Sequence, residues 1–553
     1  MPMKNFYFLS LAVLLWGCST FEEEVLPDQG DSPRQLSVSA VEEPGPDPGS
    51  LEIMRRAVDS VAAHSGQRSR SASVSGAQIE PTHRYVRFSP ATKAQFDALF
   101  DQDEFTCYNF PLDEVSPVSA DEGFRMSGPS DTPEQLYAVL RTTVVLPDTI
   151  ASEVLKELYD PSVTERGVAD PAWADRVWAE AEARALIDDG RHPGNLFWTP
   201  SGEVKAWDDV AEGYLPIQGV TISIINPSDI LGVVRVKTGA DGKFVSTKTL
   251  HRNVAVKYSL SWDDDEWMVK DTRTSSAGIV QSNVSGEWKL RISTHPSLAH
   301  ATIFRAAYRY WYKMPAYGLT PPHFGRKVRI VNYDAKPIDK AGTFDPTPDF
   351  SINEPDIQIC GRMNDIAYLF GTVAHELGHA AHFAYNQSYY HKVNKFIKES
   401  WAQFAFYFLT DAEYKDLGAD VYSLYQRPVI IGGKKYFEPN LYYNQQSWYL
   451  DNNVTRNRIY SPLFVDLYDD FNQYKWYSTL RPETSMNGLL HVIPDDDICI
   501  PSVREIQEIA FGSKNSREAG GWIIQYVGRY GYGTETINRF WRVYSMVNNE
   551  DSY

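Results

Sequence analysis

Thr372–His382 reads TVAHELGHAAH, and within it His375, Glu376 and His379 form the pattern H-E-x-x-H. On a helix, residues four apart lie one turn above each other on the same face. His375 and His379 would then offer two imidazole nitrogens to one metal ion. Glu376 turns about 100° away from His375, at 3.6 residues per turn. That sets a carboxylate beside the ion, where it can take a proton from a metal-activated water. Two histidines and an acid at this spacing point to metal-assisted hydrolysis.

A helix has to hold these residues. Asn364 or Asp365 is placed to cap its start. Ile366, Leu369, Phe370, Val373, Leu377, Ala380 and Ala384 then recur at three- and four-residue steps. Their stripe centres roughly 180° from His375. One face is predicted to be core, and the other to carry both histidines on the wall of a cleft.

A hydrolytic zinc site usually keeps three protein ligands and one open position. A metzincin needs Gly at 382 and His at 385, but this chain has His382 and Tyr385 there. Glu399 lies twenty residues beyond His379 and opens the run ESWAQFAFYFLT. Trp401, Ala402, Ala405, Phe406 and Phe408 predict that this run is a second buried helix, with Glu399 at its start. Over Asn364–Thr410 the chain resembles the gluzincin peptidases, the thermolysin-like clan.

That resemblance implies a zincin-like domain with one zinc ion held by His375, His379 and Glu399, and with Glu376 as general base. The competing reading of Glu399 is a helix N-terminal acid favoured by the macrodipole. In that case His382 and His391 are next in line as ligands. The resemblance also implies a residue that stabilises the oxyanion, for which Tyr390, Tyr460 and His491 are the candidates. Tyr390 sits in the polar stretch NQSYYHKVNK, which reads as a surface loop. Gln403, one turn after Glu399, is a candidate to accept a hydrogen bond from a ligand histidine. Gluzincins pair substrate with an edge strand. Asp356–Cys360, just ahead of the metal helix, is either that edge or an interior strand.

The rest of the chain must position this centre. Its 553 residues are 43% hydrophobic and 23% charged, a globular composition, and 33 Tyr, 26 Phe and 14 Trp can fill a large core. A net charge of −19 argues against nucleic acid and anionic membrane as partners. Residues 1–18 read as a signal peptide, with Lys4 ahead of the apolar run Phe6–Trp16. Leu15–Cys18 resembles a bacterial lipobox, and Ser19–Glu24 resembles the surface-export signal of Bacteroidota lipoproteins. These resemblances imply a lipid on Cys18 and a place at the outer membrane or cell surface.

Residues 19–83, rich in Glu, Pro, Ser and Gly, are expected to be a flexible tether, with a short helix at Leu51–Ala63. Residues 84–200 form a mixed α/β region. Strands are expected at Tyr85–Phe88 and Leu140–Leu146, and helices at Lys93–Phe100 and Ala172–Ile187. Residues 201–270 alternate with period two between Asn-Pro and Asp-Gly turns, which predicts an antiparallel β-sandwich. PIQGVTI and TGADGKF resemble the carboxypeptidase regulatory-like domain. Within it, Asp263–Glu266 is either a solvated turn or a calcium ligand set.

Residues 271–553 are assigned to the zincin-like metallopeptidase domain. It begins with an aromatic amphipathic helix at Ser297–Tyr312 and is mostly helical after Thr410. Beyond Cys18, the cysteines Cys107, Cys360 and Cys499 allow at most one disulfide. The fold expected is thus α+β and multidomain, and the activity expected is zinc-dependent hydrolysis of polypeptide. The alternatives are a non-enzymatic surface binding lipoprotein and a zinc amidase acting on a non-protein substrate.

Overall fold

Alternating apolar residues build the sheets that come before the metal helix. The structure, a computed structural model, describes residues 45–64, 79–114, 135–188, 197–333, 342–344, 357–361, 365–419, 428–437, 462–480 and 495–546, apart from 101, 103, 147, 165, 166, 169, 252, 253, 273, 274, 432 and 433. Among these residues the fold is mixed α+β, with twelve helices and several antiparallel sheets. The expected signal peptide lies outside the described residues, as do Tyr460 and His491.

The N-terminal region is a small sheet flanked by three helices: α1 (Leu51–His64), α2 (Lys93–Phe100) and α3 (Pro171–Asp188). Strand β1 (His83–Ser89) runs antiparallel to both β2 (Leu136–Arg141) and β3 (Ala151–Leu158). β2 starts earlier than the expected Leu140–Leu146, because the alternation that is buried is Leu136, Ala138 and Leu140. The short helix expected at Leu51–Ala63 is present as α1. Ile53, Met54, Ala57 and Val58 form one apolar face, and that face is buried against Val177, Ala181 and Ala185 of α3. A short helix keeps its structure when such a face has a partner.

Nine strands of three or more residues follow among the described residues: β4 (Ser201–Asp208), β5 (Gly213–Pro216), β6 (Thr221–Asn226), β7 (Asp229–Lys237), β8 (Lys243–Val245), β9 (Val256–Ser261), β10 (Trp267–Thr272), β11 (Gly278–Val284) and β12 (Trp288–Ile292). One sheet has the order β7-β6-β9-β11 and is antiparallel throughout. The other is built on β4, which is antiparallel to β5 and β8 but parallel to β12. The sandwich is therefore mixed, and not wholly antiparallel as expected. Its two sheets meet where Tyr258 stacks on Trp288 at 5.3 Å and Phe244 meets Tyr258 edge-on at 5.7 Å.

Strand β10 leaves the sandwich. It pairs in parallel with β13 (Val328–Asn332), from Trp267 opposite Val328 to Lys270 opposite Val331. β11 and β12 then return to the sandwich. The expected boundary between 201–270 and 271–553 thus falls inside a strand that joins the two parts. The sheet shared with β10 continues through β13 and β15 (Ile357–Ile359) to β14 (Gly342–Phe344), which is antiparallel to β15. The Asp356–Cys360 strand is interior, and β14 is the edge among the described residues.

Helix α4 (Ser297–Tyr308), continued by a wide turn at Arg309–Lys313, is buried all round from Leu298 to Ala307. This overturns the amphipathic reading, because the polar side chains of α4 are paired and not solvated. Arg305 donates to Asp208 at 2.9 Å and to Glu413 at 3.0 Å. Arg309 donates to Glu413 at 2.7 Å and to Asp416 at 2.8 Å. Burial opposes the charge of Arg305, but Glu413 and Asp208 outweigh it and hold its pKa above the ordinary value. Strand β4, α4 and the helix bearing Glu413 are locked together in this way.

The metal helix α5 (Ile366–Tyr385) is followed by a short turn of helix, α6 (Gln387–Tyr390), and by α7 (Lys395–Asp416). Beyond them lie α8 (Leu463–Asp466), α9 (Gln473–Leu480), α10 (Val503–Gly512), α11 (Ser516–Arg529) and α12 (Thr534–Met546). Phe464 of α8 and Phe511 of α10 both pack against Trp401 of α7, with ring centroids 6.5 and 5.0 Å away. Cys107, Cys360 and Cys499 are all free thiols, so the disulfide allowed by their number does not form. No described helix is long and apolar enough to cross a membrane.

Candidate metal centre

Local capping fixes where the metal helix begins and how the chain doubles back. The Asp365 carboxylate accepts from the Tyr368 N–H at 2.7 Å and starts α5, as one of the two expected caps. Asn386 ends α5, and its side chain accepts from the Tyr389 N–H at 3.1 Å. Asn394 accepts from the Phe396 N–H at 2.7 Å and starts α7. Glu399 therefore stands in the second turn of its helix, one turn later than expected, because Asn394 is the cap.

α5 and α7 pack together more extensively than any other pair of elements described. Gly378, inside the H-E-x-x-H motif, sets how close they come. A Cβ at Gly378 would lie 3.0 Å from Ala405 Cβ and 3.3 Å from Ala402 Cα. The Trp401 indole N–H donates to the Gly378 carbonyl at 3.0 Å and pins the crossing. This close approach brings Glu399 within reach of both histidines.

His375, His379 and Glu399 come together, and Glu376 follows His375 on the same helix. Glu399 Oε2 lies 3.3 Å from His375 Nε2 and 3.2 Å from His379 Nε2. The two imidazole rings stand nearly perpendicular, with centroids 4.9 Å apart. His375, Glu376 and His379 are 8%, 5% and 7% exposed, so the histidine face is covered and is not an open wall. Burial opposes the charge on Glu399, but hydrogen bonds from His375 and His379 outweigh it and hold its pKa well below the carboxylate range. One donor atom from each of His375, His379 and Glu399 falls within 4.8 Å of the other two. Two nitrogens and one oxygen aimed at a common point suit a zinc-type ion.

Glu376 points toward the sheet edge. A Cβ on Gly342 of β14 would lie 2.8 Å from Glu376 Oε1. Only glycine leaves room there, and β14 thus runs directly past the carboxylate. Sequence reasoning missed Gly342, since Gly-Thr-Phe is too short a run to show strand periodicity.

Tyr390 is not the surface tyrosine expected. It is 4% exposed, and its hydroxyl lies 3.3 Å from His379 Nδ1. With a metal ion on Nε2, Nδ1 would carry the ring proton and donate it to the Tyr390 oxygen. The hydroxyl thus holds His379 from behind, away from the side where an oxyanion would form. Burial, with Glu399 and Glu376 adding to it, pushes the Tyr390 phenol far up, so it stays protonated. The signal that could have revealed this is the pair of caps, Asn386 and Asn394, which confines the loop between the helices and folds Tyr390 inward.

The reserve ligands fall away. His382 stacks on Phe511 at 4.6 Å, and neither of its ring nitrogens has a partner among the described residues. Burial, then His379, lowers its pKa to about 3, so it packs as a neutral ring. His391 is exposed and outside the cluster. Gln403 is buried one turn beyond Glu399. The acids at Asp263–Glu266 make ion pairs: Asp263 with Lys327 at 2.8 Å and Asp264 with Lys237 at 3.0 Å.

No family model matches the chain, and no curated protein or solved structure is significantly similar to it.

Proposed function

We propose that the protein is a zinc-dependent peptidase of gluzincin type, hydrolysing polypeptide beside His375, His379 and Glu399. The observation that carries this reading is the convergence of two Nε2 atoms on one carboxylate oxygen, with the buried Glu376 next to His375 on the same helix. A bound zinc ion supplies Lewis-acid polarisation of a carbonyl and a water nucleophile at neutral pH. Glu376 accepts the proton of the attacking water and delivers it to the leaving amine nitrogen. Tyr390 keeps His379 in one tautomer and one orientation. An extended substrate added along the edge strand β14 would lie beside the strand that passes Glu376 at Gly342. The lipobox-like Leu15–Cys18 supports an anchor through a lipid on Cys18, at the outer membrane or cell surface.

The test is cleavage of a diverse peptide mixture by zinc-loaded protein, with Glu376→Gln in parallel. The wild type is expected to cut. The variant is expected to keep its zinc and to slow by about 100- to 10,000-fold. Wild-type turnover by Glu376→Gln would refute the role of Glu376. No cleavage by zinc-loaded wild type would favour a zinc amidase for a non-protein substrate, or a binding lipoprotein.

A further inference from the structure

Asp466, Asp469 and Asp496 form a second buried cluster, with one carboxylate oxygen from each within 4.8 Å of the other two. Asp466 ends α8, and Asp469 follows one turn later. Asp496 comes from the extended segment that leads to α10, and the Ile500 N–H donates to the Leu467 carbonyl at 2.6 Å to hold the two stretches together. The three residues are 0%, 8% and 4% exposed.

Half of each of two carboxylates is already used. The Phe471 N–H donates to Asp469 Oδ1 and the Ile498 N–H to Asp496 Oδ1, both at 3.2 Å. Oδ2 of Asp469 and Oδ2 of Asp496 are buried and have no partner among the described residues. The neighbouring cations are paired with other acids: Lys415 with Asp411 and Arg539 with Asp495, both at 2.7 Å, and Lys475 with Asp497. Buried oxygens with nothing to bond are costly. Three carboxylates this close also repel one another strongly unless a cation or shared protons lie between them.

We propose that Asp466, Asp469 and Asp496 bind a structural calcium ion. All the donors are hard oxygens, which favours calcium over zinc. Calcium–oxygen distances of about 2.3–2.6 Å put opposite ligands about 4.6–5.2 Å apart, so three oxygens that lie within 4.8 Å of one another can share one ion. The ion would tie α8 to the segment ahead of α10. Phe464 of α8 and Phe511 of α10 both pack on Trp401, two residues from Glu399. Calcium would thus brace the helix that carries Glu399. The inference stands apart from the peptidase reading.

The experiment uses the full chain, stripped on a chelating resin, reloaded with zinc and titrated with calcium chloride. Equilibrium dialysis counts the ion, and thermal unfolding reads its effect. We expect one calcium per chain at this site and a Tm that rises by several degrees at roughly a hundred times Kd. Asp469→Asn and Asp496→Asn, tested separately, should each weaken calcium binding by about tenfold or more while zinc content stays the same. Both remove a negative charge from a crowded site, so at least one should fold without calcium. Calcium binding at wild-type strength in either folded variant would overturn the assignment. So would a wild type that binds no calcium and keeps its Tm, which would leave the three acids sharing protons.

Discussion

Near its C-terminal end, α7 meets α4 through Glu413 and Asp416, which bind Arg305 and Arg309. Near its N-terminal end, it meets α5 through Glu399, which faces His375 and His379. Both contacts bury polar groups between helices, but they are completed differently. At the first, each guanidinium is matched by carboxylates, and the Tyr414 hydroxyl also donates to Asp208 at 3.0 Å. At the second, two imidazole nitrogens and a carboxylate oxygen aim at one point, and a second acid, Glu376, stands close by. Among the described residues, Glu399 pairs with the two histidines and not with a lysine or arginine, although Lys398 lies close enough for its charge to act on it. A network closed by its own residues sets geometry, whereas two imidazoles and a carboxylate that share one point form a group that could hold a metal ion.

The closed network should show the largest effect when broken. Arg305→Ala leaves Asp208 and Glu413 buried with one guanidinium fewer, and a buried pair stripped of one partner typically costs about 3–5 kcal/mol. Chemical unfolding should show a loss of that size, while protein that remains folded should bind zinc as the wild type does. A loss below about 1 kcal/mol would mean that the network adds little beyond hydrophobic packing. Weakened zinc binding in the folded protein would mean that the two ends of α7 are coupled.

How much of this was legible in the sequence follows from how local each signal is. The H-E-x-x-H helix, its Asp365 cap and the convergence of His375, His379 and Glu399 were legible. They depend on spacing within one helix and on one helical hairpin. The alternation at Val220–Ile224 and Val256–Trp262 likewise announced sandwich strands. What escaped depends on distant partners. The ion pairs of Arg305 had no local signal, because Asp208 lies 97 residues upstream and Glu413 lies 108 downstream. The parallel pairing of β10 with β13 has no local signature, so the domain boundary was drawn through a joining strand. Helix α1 was legible as a short helix, but not its packing, because its apolar face finds α3 more than a hundred residues away. Tyr390 misled for a related reason, since the polarity of its neighbours says nothing about where two asparagine caps direct the chain.

At the open site, Glu399→Ala removes one of the three converging donors. Zinc affinity, measured by competition with a chromogenic chelator, should fall by about a hundredfold, at the upper end of what losing a supporting partner costs. Folding should change little, because the Ala side chain removes a buried charge without leaving a charged partner behind. Unchanged zinc binding would show that Glu399 is not a ligand, and would remove the contrast between the two ends of α7.

Tyr390→Phe is the finest test, because it deletes one oxygen and keeps the ring. The ring packs edge-on against His382 at 5.1 Å and Phe383 at 5.5 Å, and Lys398 Nζ sits 4.6 Å from its centre, so packing should survive. What is lost is the acceptor for His379 Nδ1–H. Zinc affinity should fall by about tenfold, the lower end for such supporting contacts. If the hydroxyl only positions His379, the remaining zinc-loaded enzyme should cleave peptides at close to the wild-type rate. If it instead stabilises charge on the substrate, turnover should drop while zinc affinity holds. The two outcomes separate a residue that completes the metal site from one that acts on the reacting carbonyl.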